Sequence, residues 1–362
     1  MRQLPSSYNI FFVGLILMLV TLISSCGGKL LMEFSLDTVP LILTPAEKTG
    51  VEDYRGRFRE IYCAVREDHG HLFPDDKPCE EVIWRLADEP LGTDRTVSLE
   101  RPRANIRVLV VPGFMSGCGG EDFLEFSYSL KHLETIGYKT GRIVTNGRSS
   151  SAYNAVIIRD AILAIKPSEG EQLILVGHSK GVVDILETLV TYPSVVERVT
   201  AVVSITGAVS GSPLADGLSG LGEFLRDLRL EACEPGDGNG WKDLKRSTRM
   251  EWFKKNKLPQ SVSYFSLGAF APRENISSGL WYFYDRLARV DPRNDSQLIF
   301  YDMIIPGSVL LGYVNADHWA VAIPVSRNNV LLAQNVIDKN DFPREVLLES
   351  VIRTVQDFLS ID

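Results

Sequence analysis

The sequence has no cluster of basic side chains, no internal repeat and no long low-complexity tract. Its 38 lysines and arginines are outnumbered by 46 aspartates and glutamates, which gives a formal net charge of −8. Because phosphate binding needs concentrated positive charge, this balance argues against nucleic acid as a partner. The 362 residues are 45% hydrophobic and 23% charged, so they can form one large globular α/β domain with additions.

The apolar run at residues 10–23 has the length of a signal peptide rather than that of a typical membrane span. It follows Arg2 and ends in the sequence LISSCG, where small residues precede Cys26. This pattern is typical of a signal peptide and resembles the lipobox of bacterial lipoproteins. The resemblance implies cleavage after residue 25 and acylation of Cys26. The mature chain would then be anchored to a membrane of the bacterial cell envelope, on its periplasmic or extracellular face. An uncleaved anchor and a plain secretory signal are the alternatives.

Residues 172–187 read QLILVGHSKGVVDILE. The apolar run at 173–176 predicts a strand buried on both faces of a sheet, and the spacing from residue 182 onward predicts a helix. Between them lies G-x-S-x-G with Ser179 at its centre. Such a turn holds the serine in a strained conformation with its hydroxyl at the end of the sheet, so the residues two before and two after it must be small. We therefore predict that Ser179 is a nucleophile.

This segment resembles the nucleophile elbow of the α/β-hydrolase superfamily, and residues 105–362 contain further stretches similar to bacterial lipases and esterases. The resemblance implies a mostly parallel central sheet flanked by helices, a helical cap insertion, and a Ser-Asp-His triad in that chain order. It also implies hydrolysis of carboxylic esters, lipid or other acyl esters among them, without a cofactor or a metal.

Alternating predicted strands and helices agree with a parallel sheet built from β-α-β units. The predicted strands are residues 106–111, 140–145, 199–205, 262–267 and 309–314, and the predicted helices include 121–136, 152–165 and 344–359. Residues 1–25 form the expected signal peptide, 26–104 an N-terminal extension or tether with a helix near 53–68 and a strand at 93–99, and 105–362 the hydrolase domain. A cap is expected around 212–258.

The first buried strand leads into residues 112–117, PGFMSG. In the resembled family this position carries His-Gly followed by a residue whose backbone N–H faces the developing oxyanion, and proline replaces that histidine here. The family pattern assigns the N–H to Phe114, with Met115 as the alternative, and a second N–H to Lys180. Because both donors are main-chain groups, the proline does not remove them.

The last predicted strand is followed by His318, at the position of the general base in the resembled family. A neutral imidazole can take the serine proton and return it to the leaving group when a buried carboxylate fixes its tautomer. Asp295, in Asn-Asp-Ser, is similar to the acid of lipases, although serine replaces their glycine. Asp302 resembles the acid of shorter hydrolases and is the alternative. The neighbouring Asp317 is expected to cap the loop.

The other four histidines receive no catalytic role. His69 and His71 lie beside two aspartates but lack a third ligand at a usual spacing, so we expect surface loop positions rather than a metal site. His132 lies in the predicted helix 121–136 and is expected to be an ordinary residue at the surface or at the boundary of the core. His178 is a neighbour of the serine rather than its base.

The sequence contains five cysteines. Besides Cys26, the mature chain would keep Cys63, Cys79, Cys118 and Cys233, an even number that suggests two disulfides in an oxidising compartment. Pairing Cys63 with Cys79 is simplest because it closes a short loop, which is worth on the order of 3 kcal/mol. Cys118 would then join Cys233 in the cap. Free buried thiols are the alternative.

Several functions share a serine triad and differ in pocket and acceptor. A thioesterase, a polyester depolymerase and an acyl transferase are therefore alternatives to a lipase or esterase. A non-catalytic binding module anchored through Cys26 is a further alternative from another class. The presence of serine, aspartate and histidine in the expected order argues against that module, because binding alone does not require all three.

Overall fold

The computed structural model describes residues 50–102, 104–118, 120, 123–217, 234 and 236–361. The expected signal peptide, the expected acylation site Cys26 and the tether before residue 50 lie outside the described residues. So do residues 218–233 of the expected cap, including Cys233. Across the described segments, we find no helix long and apolar enough to cross a membrane.

The described chain folds around a seven-stranded sheet with the order β1-β7-β6-β5-β4-β2-β3, in which all neighbours are parallel. This confirms the predicted mostly parallel sheet. The strands are β1 (Glu52–Asp53), β2 (Ile106–Val111), β3 (Lys139–Arg142), β4 (Gln172–His178), β5 (Ala201–Ile205), β6 (Ser263–Ala269) and β7 (Val309–Val314).

Helices cover both faces of the sheet, as expected for strands that are apolar on both sides. They are α1 (Arg55–His69), α2 (Cys79–Val82), α3 (Ser127–Thr135), α4 (Ser151–Ala164), α5 (Lys180–Thr191), α6 (Pro193–Val196), α7 (Pro213–Gly217), α8 (Arg246–Lys255), α9 (Trp281–Leu287), α10 (Val325–Asn328), α11 (Val330–Asn335) and α12 (Arg344–Leu359). Short 3₁₀ helices lie at Gly70–Leu72, Lys242–Leu244, Arg273–Asn275, Ser278–Leu280 and Phe300–Met303.

Strand β4 contributes side chains to two hydrophobic cores, one on each face of the sheet. Its side chains alternate between faces, so Ile174 and Val176 join the core beneath α1, α3 and α12, whereas Leu173 and Leu175 join the core beneath α4 and α5. All four side chains are buried, and this explains why the strand reads as an unbroken apolar run rather than an alternating one.

Residues 52–83, expected in an extension, contribute to the same layers. Strand β1 pairs with β7, and α1 packs against the C-terminal helix α12. Cys63 at α1 and Cys79 at α2 form a disulfide, which agrees with the simplest predicted pairing. Residues 52–83 are therefore attached to the domain through the pairing of β1 with β7 and the packing of α1 against α12, and the disulfide links α1 to α2 within the segment.

The strand predicted at residues 93–99 is wrong, since this described segment joins no sheet. Its backbone carbonyls instead accept hydrogen bonds from two guanidinium groups. Arg57 donates to the carbonyl of Arg95, and Arg353 donates to those of Ser98 and Leu99, over 2.7 to 3.1 Å. Arginine side chains from α1 and α12 thus satisfy the polar groups that a neighbouring strand would satisfy in a sheet.

The described part of the expected cap is helical. It contains α7, the 3₁₀ helix Lys242–Leu244 and α8. The buried Arg249 of α8 donates from Nε to the carbonyl of Val209, at 2.9 Å, and its guanidinium lies over the ring of Trp252. This contact attaches α8 to the loop that follows β5.

Candidate active site

Ser179 lies at the turn between β4 and α5. Its backbone has φ +52° and ψ −123°, a conformation that a residue with a side chain rarely adopts. The serine is half-buried, whereas His178 before it and Lys180 after it are buried. A strained turn at the carboxyl end of a central strand thus presents one hydroxyl at the edge of the sheet.

The two glycines of the G-x-S-x-G pattern are required by close contacts. A Cβ added at Gly177 would lie 2.7 Å from the backbone nitrogen of Val182, and a Cβ added at Gly181 would lie 2.1 Å from the carbonyl oxygen of Val111. Both distances are shorter than atoms of folded proteins tolerate, because interiors are close-packed. The pattern therefore reflects how tightly α5 approaches β4 and β2.

The loop that follows β2 lies directly beside the serine. A Cβ added at Gly113 would be 2.8 Å from the Cβ of Ser179 and 3.3 Å from its Oγ. The backbone N–H of Met115 already donates to the carbonyl of Gly147 at 2.9 Å. Among the described residues, no acceptor is bound to the N–H of Phe114 or Lys180. These two donors are thus open, and the Met115 donor is occupied.

His318 follows β7 and is hydrogen-bonded to Asp295. Its Nδ1 lies 2.6 Å from Asp295 Oδ2, and its backbone N–H donates to the carbonyl of Asp295 at 2.8 Å. The carboxylate is fully buried, and the histidine is 4% exposed. Since a carboxylate only accepts, Nδ1 carries the proton of the neutral ring, and Nε2 is left able to take another.

Asp302, the alternative acid, has a different partner. Its Oδ1 accepts from Arg246 at 3.0 Å, and its buried Oδ2 has no hydrogen-bond partner among the described residues. Burial raises the pKa of Asp302 to about 6, although the nearby Arg246 guanidinium lowers it in part. The structure brings Asp295, and not Asp302, to His318.

Asp317 caps the loop that carries His318, as expected. Its Oδ1 accepts from the backbone N–H groups of Trp319 and Ala320, at 3.0 and 2.8 Å. Its Oδ2 accepts from the N–H and hydroxyl of Ser277, at 3.1 and 2.6 Å. Complete burial raises the pKa of Asp317, and these hydrogen bonds oppose that shift. The carboxylate fixes the loop from two sides.

A buried carboxylate that the sequence does not reveal connects the parts of the site. Glu125 accepts from the N–H of Gly113 with both oxygens, at 3.1 and 3.2 Å, and its Oε1 lies 3.1 Å from His178 Nδ1. The other nitrogen of His178 lies 3.2 Å from the carbonyl oxygen of His318. The two imidazole rings have centroids 4.8 Å apart. Glu125 is thus linked to the glycine loop directly and to His318 through His178.

The sequence contains no signal for this connection. Glu125 lies in the predicted helix 121–136, but the helix begins at Ser127, after Phe126 adopts a positive φ of 54°. The two ring nitrogens of His178 face a carboxylate on one side and a backbone carbonyl on the other, which ties this ring to both Glu125 and His318. His178 is therefore a structural partner of His318 rather than only a chain neighbour of the serine.

The side chain of Lys180 points away from this site. Its Nζ donates to Asp184 Oδ1 at 2.5 Å, and Asn154 donates to the other oxygen at 2.7 Å. Burial raises the pKa of Asp184, and the charge of Lys180 opposes the shift. Only the backbone of Lys180 is therefore available at the turn.

Several solved structures of bacterial and metagenomic hydrolases are similar to this chain. The crystal structure of a metagenomic carboxyl esterase matches with a TM-score of 0.83 and 44% sequence identity, over 88% of this chain and 97% of that one. A Bacillus licheniformis lipase in its mature form matches with a TM-score of 0.50 and 18% identity, over 66% and 93% of the two chains. Staphylococcus hyicus lipase matches with a TM-score of 0.53 and 13% identity, over 74% and 100%.

No protein-family profile matches the sequence, and no curated protein sequence does. The two lipases share only the fold with this chain. The metagenomic enzyme shares both fold and sequence over nearly its whole length, and the chain is therefore a carboxylic ester hydrolase with the α/β-hydrolase fold. It belongs to the same carboxyl esterase family as that metagenomic enzyme.

Proposed function

We propose that Ser179, His318 and Asp295 form the catalytic triad of this esterase. The observation that carries the proposal is the hydrogen bond from His318 Nδ1 to the buried Asp295, which leaves Nε2 free as a base. The strained turn at Ser179 supports it, since such a turn exposes a nucleophilic hydroxyl. No other aspartate among the described residues is hydrogen-bonded to His318.

The reaction then follows from the chemistry of these groups. His318 Nε2 takes the proton of Ser179 as Oγ attacks the ester carbonyl carbon, and the same proton passes to the departing alcohol. His318 then takes a proton from water as the water oxygen attacks the acyl carbon, and the imidazolium returns that proton to Ser179 Oγ as the bond between Oγ and the acyl carbon breaks and the carboxylic acid leaves. The open N–H groups of Phe114 and Lys180 are the proposed donors to the tetrahedral oxyanion, and each is worth about 3 to 4 kcal/mol of transition-state stabilisation.

We further propose acyl or lipid esters as substrates and attachment to the bacterial cell envelope through acylated Cys26. The substrate class is supported by the esterase relative and by the fold shared with two lipases. The attachment is supported by the LISSCG sequence. Incorporation of an alkyne-labelled fatty acid during expression tests it, since the label should appear in the wild type and be lost in Cys26→Ser.

Hydrolysis of p-nitrophenyl esters of increasing acyl length tests the triad. Ser179→Ala and His318→Gln should abolish the reaction, and Asp295→Asn should lower kcat by about 10³- to 10⁴-fold because the imidazole loses its fixed tautomer. Asp302→Asn is the matched control, a buried aspartate near the site that should keep kcat within a few-fold. A larger loss in Asp302→Asn than in Asp295→Asn would reject the proposed acid, and activity that survives Ser179→Ala would reject the mechanism.

A further inference from the structure

Three side chains from three helices meet in the layer formed by α1, α3 and α12. His69 is the last residue of α1, His132 lies in α3, and Glu349 lies in α12. His69 Nδ1 is 2.8 Å and His132 Nε2 is 2.6 Å from the same oxygen, Oε2 of Glu349. The glutamate is fully buried, the second histidine is 8% exposed, and His69 is half-buried. The cluster is thus inside the protein but open to solvent on one side.

The three atoms have the types and spacing of a metal-binding set. All of them lie within 4.8 Å of one another. Around a tetrahedral zinc ion with bonds of about 2.0 to 2.2 Å, neighbouring ligand atoms are about 3.3 Å apart. The two nitrogen–oxygen separations of 2.6 and 2.8 Å would therefore open by about half an ångström to admit the ion, and the two histidine nitrogens, which lie within 4.8 Å of each other, would adjust to about the same 3.3 Å.

The groups around the cluster direct these atoms inward. Asp68 Oδ2 lies 3.3 Å from His69 Nε2, so when a metal ion replaces the proton between Nδ1 and Glu349, Nε2 can keep its own proton and donate it to Asp68. Arg353 donates from Nε to Glu349 Oε1 at 2.7 Å, so the opposite oxygen faces the histidines. A carboxylate behind a ligating histidine and a donor behind a ligating carboxylate are the usual surroundings of a metal site.

We propose that His69 Nδ1, His132 Nε2 and Glu349 Oε2 bind a divalent transition metal, with water in the remaining position. Two imidazoles and a carboxylate are ligands that suit zinc. The site contains none of the residues proposed for the chemistry of ester hydrolysis. Its role is structural, because one ion would join α1, the first helix of the described residues, to α12 and to α3.

The linear sequence conceals this site. His69 is not in a surface loop but at the end of a helix, and its partner in α12 is 280 residues away. His132 is likewise 217 residues from Glu349. No short spacing of ligands exists, so a motif search for a third ligand near His69 finds none.

The competing explanation is a hydrogen-bond network without metal, and two variants separate the possibilities. In His69→Asn the amide nitrogen takes the place of Nδ1, and in His132→Gln it takes the place of Nε2. Both retain an N–H donor toward Glu349, but amide nitrogens do not bind zinc. The exposed His71 provides the matched control, as His71→Asn. All proteins are prepared without a histidine tag, stripped with a chelator, loaded with zinc and passed through gel filtration.

The wild type and His71→Asn should retain about one zinc ion per chain, as measured by elemental analysis, and the double variant His69→Asn/His132→Gln should retain almost none. Zinc at about 100-fold over its Kd should raise the Tm of the first two proteins by about 5 °C and leave the double variant unchanged. A wild type that retains no zinc would overturn the proposal. Equal retention by the wild type and the double variant would overturn it as well.

Discussion

Substitution of Glu125 by glutamine tests how the site is held in place. The carboxylate is 5% exposed and faces two N–H donors, the backbone of Gly113 and the ring of His178. Glutamine has the same shape but only one acceptor oxygen. The N–H of Gly113 lies close to both oxygen positions, so the NH₂ group of glutamine faces this donor in either orientation of the amide. The negative charge opposite His178 is also lost.

The size of the effect follows from these contacts. Hydrogen bonds to a charged group contribute about 1.5 to 3 kcal/mol, and a buried donor left unpaired costs about 1 to 3 kcal/mol. We therefore expect Glu125→Gln to lose about 2 to 4 kcal/mol of unfolding free energy. Displacement of the Gly113 loop also misaligns the N–H of Phe114, the proposed oxyanion donor, so kcat should fall by about 10- to 100-fold, a part of the full value of one such donor. The KM should change little, because the oxyanion exists only in the transition state.

The assay measures kcat and KM with a p-nitrophenyl ester at a temperature where the variant is folded, together with urea unfolding. Glu171→Gln is the matched control. Its carboxylate is also buried and accepts from Arg107 and Lys139, at 2.6 and 2.7 Å, but it precedes the first residue of β4, at the opposite end from Ser179. This control should lose stability and keep kcat. Wild-type kcat in Glu125→Gln, or an equal kcat loss in Glu171→Gln, would refute the reasoning.

Three further predictions follow from single contacts. Gly113→Ala should lower kcat by about 100-fold and slow labelling by a fluorophosphonate, because the new Cβ would lie 2.8 Å from that of Ser179. Burial raises the pKa of Asp302 from 3.8 to about 6, so its contribution to stability is complete below about pH 4 and is lost as the pH rises through 6, by roughly 3 kcal/mol. The unfolding free energy of Asp302→Asn, measured in urea as a function of pH, should lack this decline, and a variant whose pH profile matches that of the wild type would contradict the prediction. Replacing Cys63 and Cys79 by alanine should cost on the order of 3 kcal/mol of unfolding free energy in urea, and a stability equal to the wild type would exclude a role for this disulfide.

Strands and the serine turn were predictable because each has a local signal. The apolar run of β4 arises from burial on both faces, and the flanking glycines arise from contacts made within the same β-α unit. Each signal is carried by residues that are close in the sequence, within roughly the length of one strand and one helix. Residues 93–99 show the limit of such signals, because their alternating pattern does not reveal that arginines from α1 and α12 occupy the positions of a neighbouring strand.

Glu125 could not be predicted for a related reason. It lies just before α3, in irregular backbone, and its partners come from the loop after β2 and from the end of β4. No periodicity or spacing connects those three positions. The parallel order of β2, β4 and β7 brings their carboxyl ends to one edge of the sheet, and only there does the carboxylate reach its donors.

The choice between Asp295 and Asp302 depends on a backbone feature that the residue types do not encode. Asp295 uses Oδ1 to accept from the N–H groups of Gln297 and Leu298, two and three residues later, and this leaves Oδ2 for His318. Asp317 divides its oxygens in the same way, with Oδ1 on its own turn and Oδ2 on a distant serine. When one oxygen of an aspartate accepts from the N–H groups of its own turn, the side-chain conformation is already fixed. The second oxygen then has a defined direction, and its hydrogen bond to a distant residue costs no further side-chain conformational entropy. Asp302 has no such turn, and its second oxygen is buried without a hydrogen-bond partner among the described residues, so burial raises the pKa of Asp302 to about 6 and no backbone contact directs that oxygen toward a histidine.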